Sequence, residues 1–286
     1  MIKSLAARLP GETAPLDAQV LLAHVTGRNR AWLLSHPEAD LTPEQEKTLE
    51  TAVQKLQAGL PLPYVLGHWE FFGMDFNITP DVLIPRPETE LLIETALAEI
   101  RTHPKLYPRF LDVGTGSGII PITLATYVPH AELVATDISS TALEVARLNA
   151  EKHGVSERIQ FIEADLLPDD GRWMMDGEAL VNSLLSSVDL LTANLPYIPS
   201  ETLKSLDIFG KEPALALDGG PDGLDLIRRL LALLTANMVA GGTILLEIEN
   251  RQGLAVKQLA REAFPAADIQ IKKDLAGHDR LVVINT

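Results

Sequence analysis

The 286-residue chain contains no cysteine, so it forms no disulfide and offers no thiolate to a metal, which fits a reducing compartment. It also has no run of about 18 or more apolar residues, so no membrane-spanning helix is expected. Its 46% hydrophobic and 22% charged residues are those of an ordinary soluble globular protein. Positive charge is scarce: 24 Lys and Arg stand against 39 Asp and Glu, a net charge of −15. No stretch gathers basic residues into a face that would neutralise phosphates, so stable nucleic-acid binding is not expected and a protein or small-molecule partner is favoured. The plainer alternative is that the acidity only aids solubility. The opening "MIKSLAARLPGETAP" lacks the apolar core and cleavage site of a secretory signal, and the expectation is a cytoplasmic monomer. The histidines (24, 36, 68, 103, 130, 153 and 278) are dispersed, with no pair at a metal-binding spacing, and no metal site is expected. Nor is there an internal repeat.

Two kinds of sequence are present. Residues 1–62 read as short amphipathic helices: Leu16, Val20 and Ala23 recur at helical spacing, with Gly27 placed to end that helix. In the next, Thr42 is the cap, Pro43 suits the first turn, and Gln45 completes a capping box. Leu49, Val53 and Leu56 form one face, and Gly59 with Pro61 ends it. Residues 63–86 change period, with Phe72, Met74, Phe76 and Ile78 alternating with Gly73, Asp75 and Asn77, the pattern of a half-buried strand in a β-hairpin linker. Trp69, Phe71 and Phe72 there suit core packing better than a base-stacking platform.

Residues 87–286 alternate helix and strand. Strands are expected at "FLDVG", "ELVATDI", "IQFIEAD", "VDLLTAN", "TILLEIE", "IQIKKDL" and "RLVVINT", and helices at "ETELLIETALAEI", after Gly118, and at "TALEVARLNAEKHG", "LDLIRRLLALLTANMV" and "AVKQLAREAF". The fold class is therefore α/β, a mostly parallel sheet covered by helices on both faces. The segment "LPDDGRWMMDGEALVNSLLSS" fits no element and reads as an irregular excursion.

Ligands of such sheets sit at the carboxyl ends of the strands. There, "DVGTGSG" supplies Gly114, Gly116 and Gly118 for close backbone approach. The third glycine comes one residue too early for the dinucleotide fingerprint, and no lysine follows to make a phosphate loop. Ser117 is not a nucleophile-elbow serine, because Thr115 stands where that pattern needs glycine. Asp137 ends the second strand, where an acid accepts from ribose hydroxyls. Asp165 ends the third, to meet an adenine amine or merely to cap the next segment. In "TANLPYIPS", Asn194 ends the fourth strand, and its short amide can grip a planar group edge-on. A nucleoside-shaped ligand across these ends is the economical explanation.

"LDVGTGSGII", "TDISSTALEVARLNA" and "TANLPYIP", in that order, resemble the Rossmann-like S-adenosylmethionine-dependent methyltransferases. "VLIPRPETE" and "EPALALDGGPDGL" narrow the resemblance to the HemK (PrmC) family of release-factor glutamine methyltransferases. The resemblance implies methylation of the glutamine amide in the Gly-Gly-Gln motif of peptide chain release factors, leaving S-adenosylhomocysteine, with the helical domain gripping the protein substrate. It implies cofactor contacts by Gly114, Thr115, Gly116, Ser117, Gly118, Asp137, Ile138, Asp165, Leu166 and Asn194. Catalysis falls to Asn194, Leu195, Pro196 and Tyr197, which with Arg86 and Glu88 also meet the substrate. The plainer alternative is that Arg86 and Glu88 simply pair near a helix start. In the family, the Asn194 carbonyl and the next backbone carbonyl accept the two amide hydrogens, Tyr197 packs on the amide, and Pro196 fixes the turn. Two positions depart from the family pattern: Leu195 replaces a proline, which keeps the carbonyl and loses rigidity, and Glu249 replaces a glycine. The other readings of the chain are methylation of an exocyclic base amine and a cofactor-binding scaffold without activity.

Overall fold

The computed structural model describes residues 1–102, 108–167, 172–175, 178–181, 188–237 and 241–286, with backbone alone at 172–175, 178–181 and 236–237. It divides into two compact units, Met1–Trp69 and Glu70–Thr286.

The first unit holds α1 (Ile2–Ala6), α2 (Ala14–Thr26), α3 (Arg30–Ser35), α4 (Pro43–Gln57) and α5 (Leu62–Leu66). The capping box of α4 forms as its sequence dictates: the Gln45 N–H donates to Thr42 Oγ1 (3.2 Å) and the Thr42 N–H to Gln45 Oε1 (2.9 Å). Leu49, Ala52, Val53 and Leu56 then bury one face. Gly27 ends α2 in the left-handed conformation (φ 67°), where only glycine is free of strain. The buried face of α2, however, is Ala14, Ala18, Leu21 and Leu22, while Leu16 is 44% exposed. Apolar residues surround α2 on nearly every side, so their spacing alone did not select the face that packs. Residues 63–66, expected in the hairpin linker, instead complete the helix Leu62–Leu66, because Pro61 and Pro63 suit a first turn and Gly67 (φ 77°) stops it. His24 and His68, distant in sequence, stack with Nδ1 and Nε2 3.2 Å apart.

The boundary falls within β1 (His68–Phe71), which pairs with β2 (Met74–Asn77). Phe72, expected in a strand, instead occupies the turn with Gly73, both at positive φ (53° and 74°), as two-residue hairpins require. Its N–H donates to Glu90 Oε1 (3.2 Å) and its ring meets Tyr127 edge-on. Phe71 and Phe76 are buried and Trp69 packs against the helical core, so these aromatics are packing residues.

Next come α6 (Glu90–Thr102), β3 (Arg109–Val113), α7 (Ile119–Tyr127), β4 (Glu132–Asp137), α8 (Ser140–Lys152) and β5 (Ile159–Glu163). The expected excursion contains β6 (Arg172–Met175) and β7 (Glu178–Val181), an antiparallel pair. Its remaining residues, apart from Leu167, lie outside the described residues, as does His103. The chain continues through β8 (Leu190–Ala193), α9 (Ser200–Leu203), α10 (Asp225–Asn237), β9 (Thr243–Glu247), α11 (Gly253–Ala263), β10 (Asp268–Lys273) and β11 (Asp279–Asn285).

Seven strands form one sheet in the order β10-β11-β9-β8-β3-β4-β5, parallel from β9 to β5, with β11 antiparallel to both neighbours. β3 and β8 are near-continuous apolar runs because both of their faces are covered. The helices α6, α7 and α8 pack in succession, and α10 packs with α11, flanking the sheet. From β3 the chain steps outward to β4 and β5, then returns to β8 on the other side of β3. This reversal parts the loops and opens a crevice at the strands' carboxyl ends. Among the described residues, no helix is long and apolar enough to cross a membrane.

Candidate active site

A cavity of about 850 Å³ opens at this reversal. The loop after β3 forms one wall. Gly114 takes φ 75°, and a Cβ there would lie 2.9 Å from Leu195 Cδ2, so both backbone and space demand glycine. Gly116 also has positive φ (54°), but a Cβ there would meet nothing within 4 Å, so bare backbone faces open space. Thr115 and Ser117 line the cavity as well. Gly118 does not; it caps α7 against α8, where a Cβ would press on Ile122 and Ala146. Asn149 braces the loop from beneath by donating to the carbonyls of Ser117 (2.9 Å) and Asn77 (3.0 Å).

At the end of β4, Asp137 lines the cavity and accepts from the N–H groups of Gly116 (2.8 Å) and Ser139 (2.9 Å). Burial raises its pKa, and these hydrogen bonds oppose the shift. Each oxygen is held by one donor and keeps accepting capacity for a ligand hydroxyl. Ile138 beside it is 48% exposed on the cavity wall. Asp165 and Leu166 line the cavity after β5, with Leu166 at φ 66° and its carbonyl accepting from Thr136 Oγ1 (2.7 Å). Asp165 is not free: Arg229 Nη2 on α10 donates to its Oδ2 at 2.8 Å.

Asn194, Leu195 and Pro196 complete the wall after β8. Leu195 is buried, its side chain joining the sheet core and touching the Gly114 turn, so packing immobilises it where a proline would have used its ring. The strap 212–224 lies alongside: Gly219 N–H donates to the Ile198 carbonyl, and Cβ atoms at Gly219 or Gly223 would strike the carbonyls of Pro196 and Tyr197. Gln252 Nε2 holds the Tyr197 carbonyl (2.9 Å) and the Gly223 carbonyl (3.2 Å). Tyr197 itself is off the cavity lining; burial, with the charges of Glu247 and Glu88, pushes its phenol pKa up. Arg86 lines the cavity and pairs with buried Glu212 (2.5 Å), which also accepts from the Ile84 N–H (3.2 Å). Glu88 stands off the lining, 3.7 Å from Arg280. Glu249 adopts no glycine-like φ; its carboxylate accepts from the Arg251 N–H, forming the turn into α11.

Several site neighbours escaped the sequence reading: Thr89, Glu212, Glu247, Gln252 and Arg280. Glu247 carried a usable signal, an acid ending an otherwise apolar strand, as Asp137 does. Burial raises its pKa to about 7, opposed by hydrogen bonds from Thr89 and Asn194 and by the charge of Arg280. Asp112, buried in β3, is raised to about 6 by burial against a 2.6 Å hydrogen bond from Thr192. Among the described residues, no group of His, Cys, Asp and Glu is placed to hold a metal.

This arrangement can cradle a nucleoside-bearing ligand. Glycine backbone lies open at one end, acceptors stand at the end of β4, and the Asn194 turn faces the same space.

Comparison with known proteins agrees. Residues 2–67 match the PrmC N-terminal domain, and residues 110–173 match a methyltransferase domain. The chain is 42% identical over 270 residues to the release factor glutamine methyltransferase of Moorella thermoacetica, covering 94% of this chain and 90% of that one. It is 38% identical over 271 residues to that of Bordetella pertussis, covering 93% of each. Among solved structures, the human METTL16 catalytic domain in complex with MAT2A 3′UTR hairpin 1 shares the fold at 14% identity (TM-score 0.56, 84% of this chain and 80% of that one). With such identity sustained from the helical unit to the last strands of the sheet, the chain belongs to the release factor glutamine methyltransferase family.

Proposed function

We propose that this chain methylates the side-chain amide nitrogen of the glutamine in the Gly-Gly-Gln motif of peptide chain release factors, working in the cytoplasm. The observation that carries the reading is the Asn194-Leu195-Pro196 turn facing the same cavity as the glycine loop after β3. S-adenosylmethionine supplies the electrophilic methyl group on its sulfonium. The backbone of Gly114–Ser117 and the Asp137 carboxylate hold it, with Ile138, Asp165 and Leu166 along its nucleoside.

A glutamine nitrogen is a weak nucleophile because its lone pair is delocalised into the carbonyl, so positioning must do much of the work. Asn194 Oδ1 and the Leu195 carbonyl accept its two hydrogens and aim the nitrogen at the methyl carbon. Transfer would break the methyl–sulfur bond, leaving neutral S-adenosylhomocysteine, and would release one amide proton to water. In model reactions such positioning supplies up to roughly 7 to 11 kcal/mol of the barrier. Arg86 lies on the substrate side of the cavity, and Tyr197 backs the turn. The helical amino-terminal unit serves release-factor recognition, and the net charge of −15 fits a protein rather than a polynucleotide partner.

The test is incubation with isotopically labelled S-adenosylmethionine and a release factor, beside a factor whose Gly-Gly-Gln glutamine is changed to alanine. Label on that glutamine alone is expected. Label on nucleic acid instead, or none on the factor, would overturn the reading.

A further inference from the structure

Ala193 pairs with Leu246 in the parallel register of β8 and β9, so the residues that follow, Asn194 and Glu247, stand side by side at the strand ends. Thr89, fully buried just before α6, joins them: Asn194 Nδ2 donates to Thr89 Oγ1 at 3.1 Å. Glu247 is 3% exposed and off the cavity lining, so it does not reach a bound substrate; its carboxylate is buried beside the Thr89 hydroxyl and the Asn194 amide, both of which favour its ionised form, and its Oε2 has no hydrogen-bond partner among the described residues. An ionised carboxylate has no hydrogen to give. Thr89 Oγ1 already accepts from the Asn194 amide, so its own hydrogen is free to turn to that carboxylate.

We propose that Glu247 and Thr89 are positioning residues that consume the Asn194 amide hydrogens and so turn its carbonyl oxygen toward the methyl-accepting nitrogen. This rests on the proposed function. The opposite flip would set an NH2 against an NH2. A protonated Glu247 has a hydrogen to give, and the chain through Thr89 can then run in either direction. The charged and titratable groups around Glu247 are Glu88, which favours its protonated form, Arg280, which favours the ionised form, and the Tyr197 phenol.

The test compares wild type with Glu247→Gln, Thr89→Val and Thr89→Ser. Glu247→Gln is expected to lower kcat about 10- to 100-fold while the KM for the release factor and the Kd for S-adenosylmethionine change less than about threefold. Thr89→Val should behave alike, and Thr89→Ser, which keeps the hydroxyl, should restore most of the rate. Wild-type kcat should fall as pH drops through about 7, and Glu247→Gln should lose that limb. Independently of activity, the side-chain amide resonances of Asn194 should titrate near pH 7 in wild type and stay fixed in Glu247→Gln. An unchanged kcat and pH profile in Glu247→Gln would overturn the inference. So would a fall in kcat matched by equal losses of cofactor affinity and melting temperature. Should the wild type methylate no release factor, the functional reading fails, and the Asn194 resonances still decide the positioning inference.

Discussion

Asn194 is the residue on which the proposed chemistry turns. Its amide lies on the cavity wall, and Thr89 already engages the NH2 end. Asn194→Ala should therefore lower kcat by about 100-fold or more, the cost typical of removing one preorganised electrostatic group. Cofactor affinity should stay within about threefold in equilibrium titration, because a group acting mainly in the transition state affects turnover more than binding. A parallel loss of affinity would make Asn194 a cofactor ligand instead. The place of Asn194 was legible in the sequence as an amide at the end of an apolar run. Its partners were not, since Thr89 and Glu247 lie 105 and 53 positions away and meet it only across the sheet.

Among the elements, the turn after β8 depends on the strap that lies against it. Gly223 has φ 79°, and a Cβ there would sit 2.2 Å from the Tyr197 carbonyl and 2.8 Å from Gln252 Nε2. Gly223→Ala should destabilise the protein by roughly 1–3 kcal/mol through left-handed strain and the displaced carbonyl. It should also lower kcat, because the turn moves. Gly277→Ala is the control: φ is 83° but a Cβ there meets nothing within 4 Å, so it should cost the strain alone and leave kcat unchanged. Denaturant midpoints and turnover, measured side by side, check both. Equal losses of activity in the two variants would refute the link between strap and turn. Element types were well read where one signal dominated, as at Thr42 and Gln45 or in the strand β3. They were misread where two patterns overlapped: the apolar flanks of α2 hid its packing face, and Phe72 continued an alternation that the turn at Gly73 had already broken.

For the whole molecule, two buried acids tie stability to pH. Glu247 is raised to about 7 and Asp112 to about 6, so the folded protein holds more protons than the unfolded chain at mildly acidic pH. Stability from these groups is fully present below their ordinary carboxylate range and is lost as pH rises through about 6 to 7. At about 1.4 kcal/mol per unit, each burial withholds on the order of 3 kcal/mol at pH 8. Urea midpoints should fall between pH 5 and pH 8, and Glu247→Gln should remove about two thirds of that fall. A midpoint that rises over this interval, or a slope unchanged in the variant, would refute it. The acid that lowers stability when ionised is the one whose ionised form orients Asn194, an instance of function retained at the expense of stability.

By itself the sequence determined the α/β class, the helical amino-terminal region, the glycine loop and the polar ends of the first four strands, because each is a local matter of period, φ preference or a polar residue closing an apolar run. Only the tertiary structure decided which face of α2 is buried, that Arg229 occupies Asp165, that Leu195 is held by packing, and that Glu247 and Thr89 stand beside Asn194. These depend on strand order and register, which join residues far apart in the chain, and no local pattern encodes which strands become neighbours.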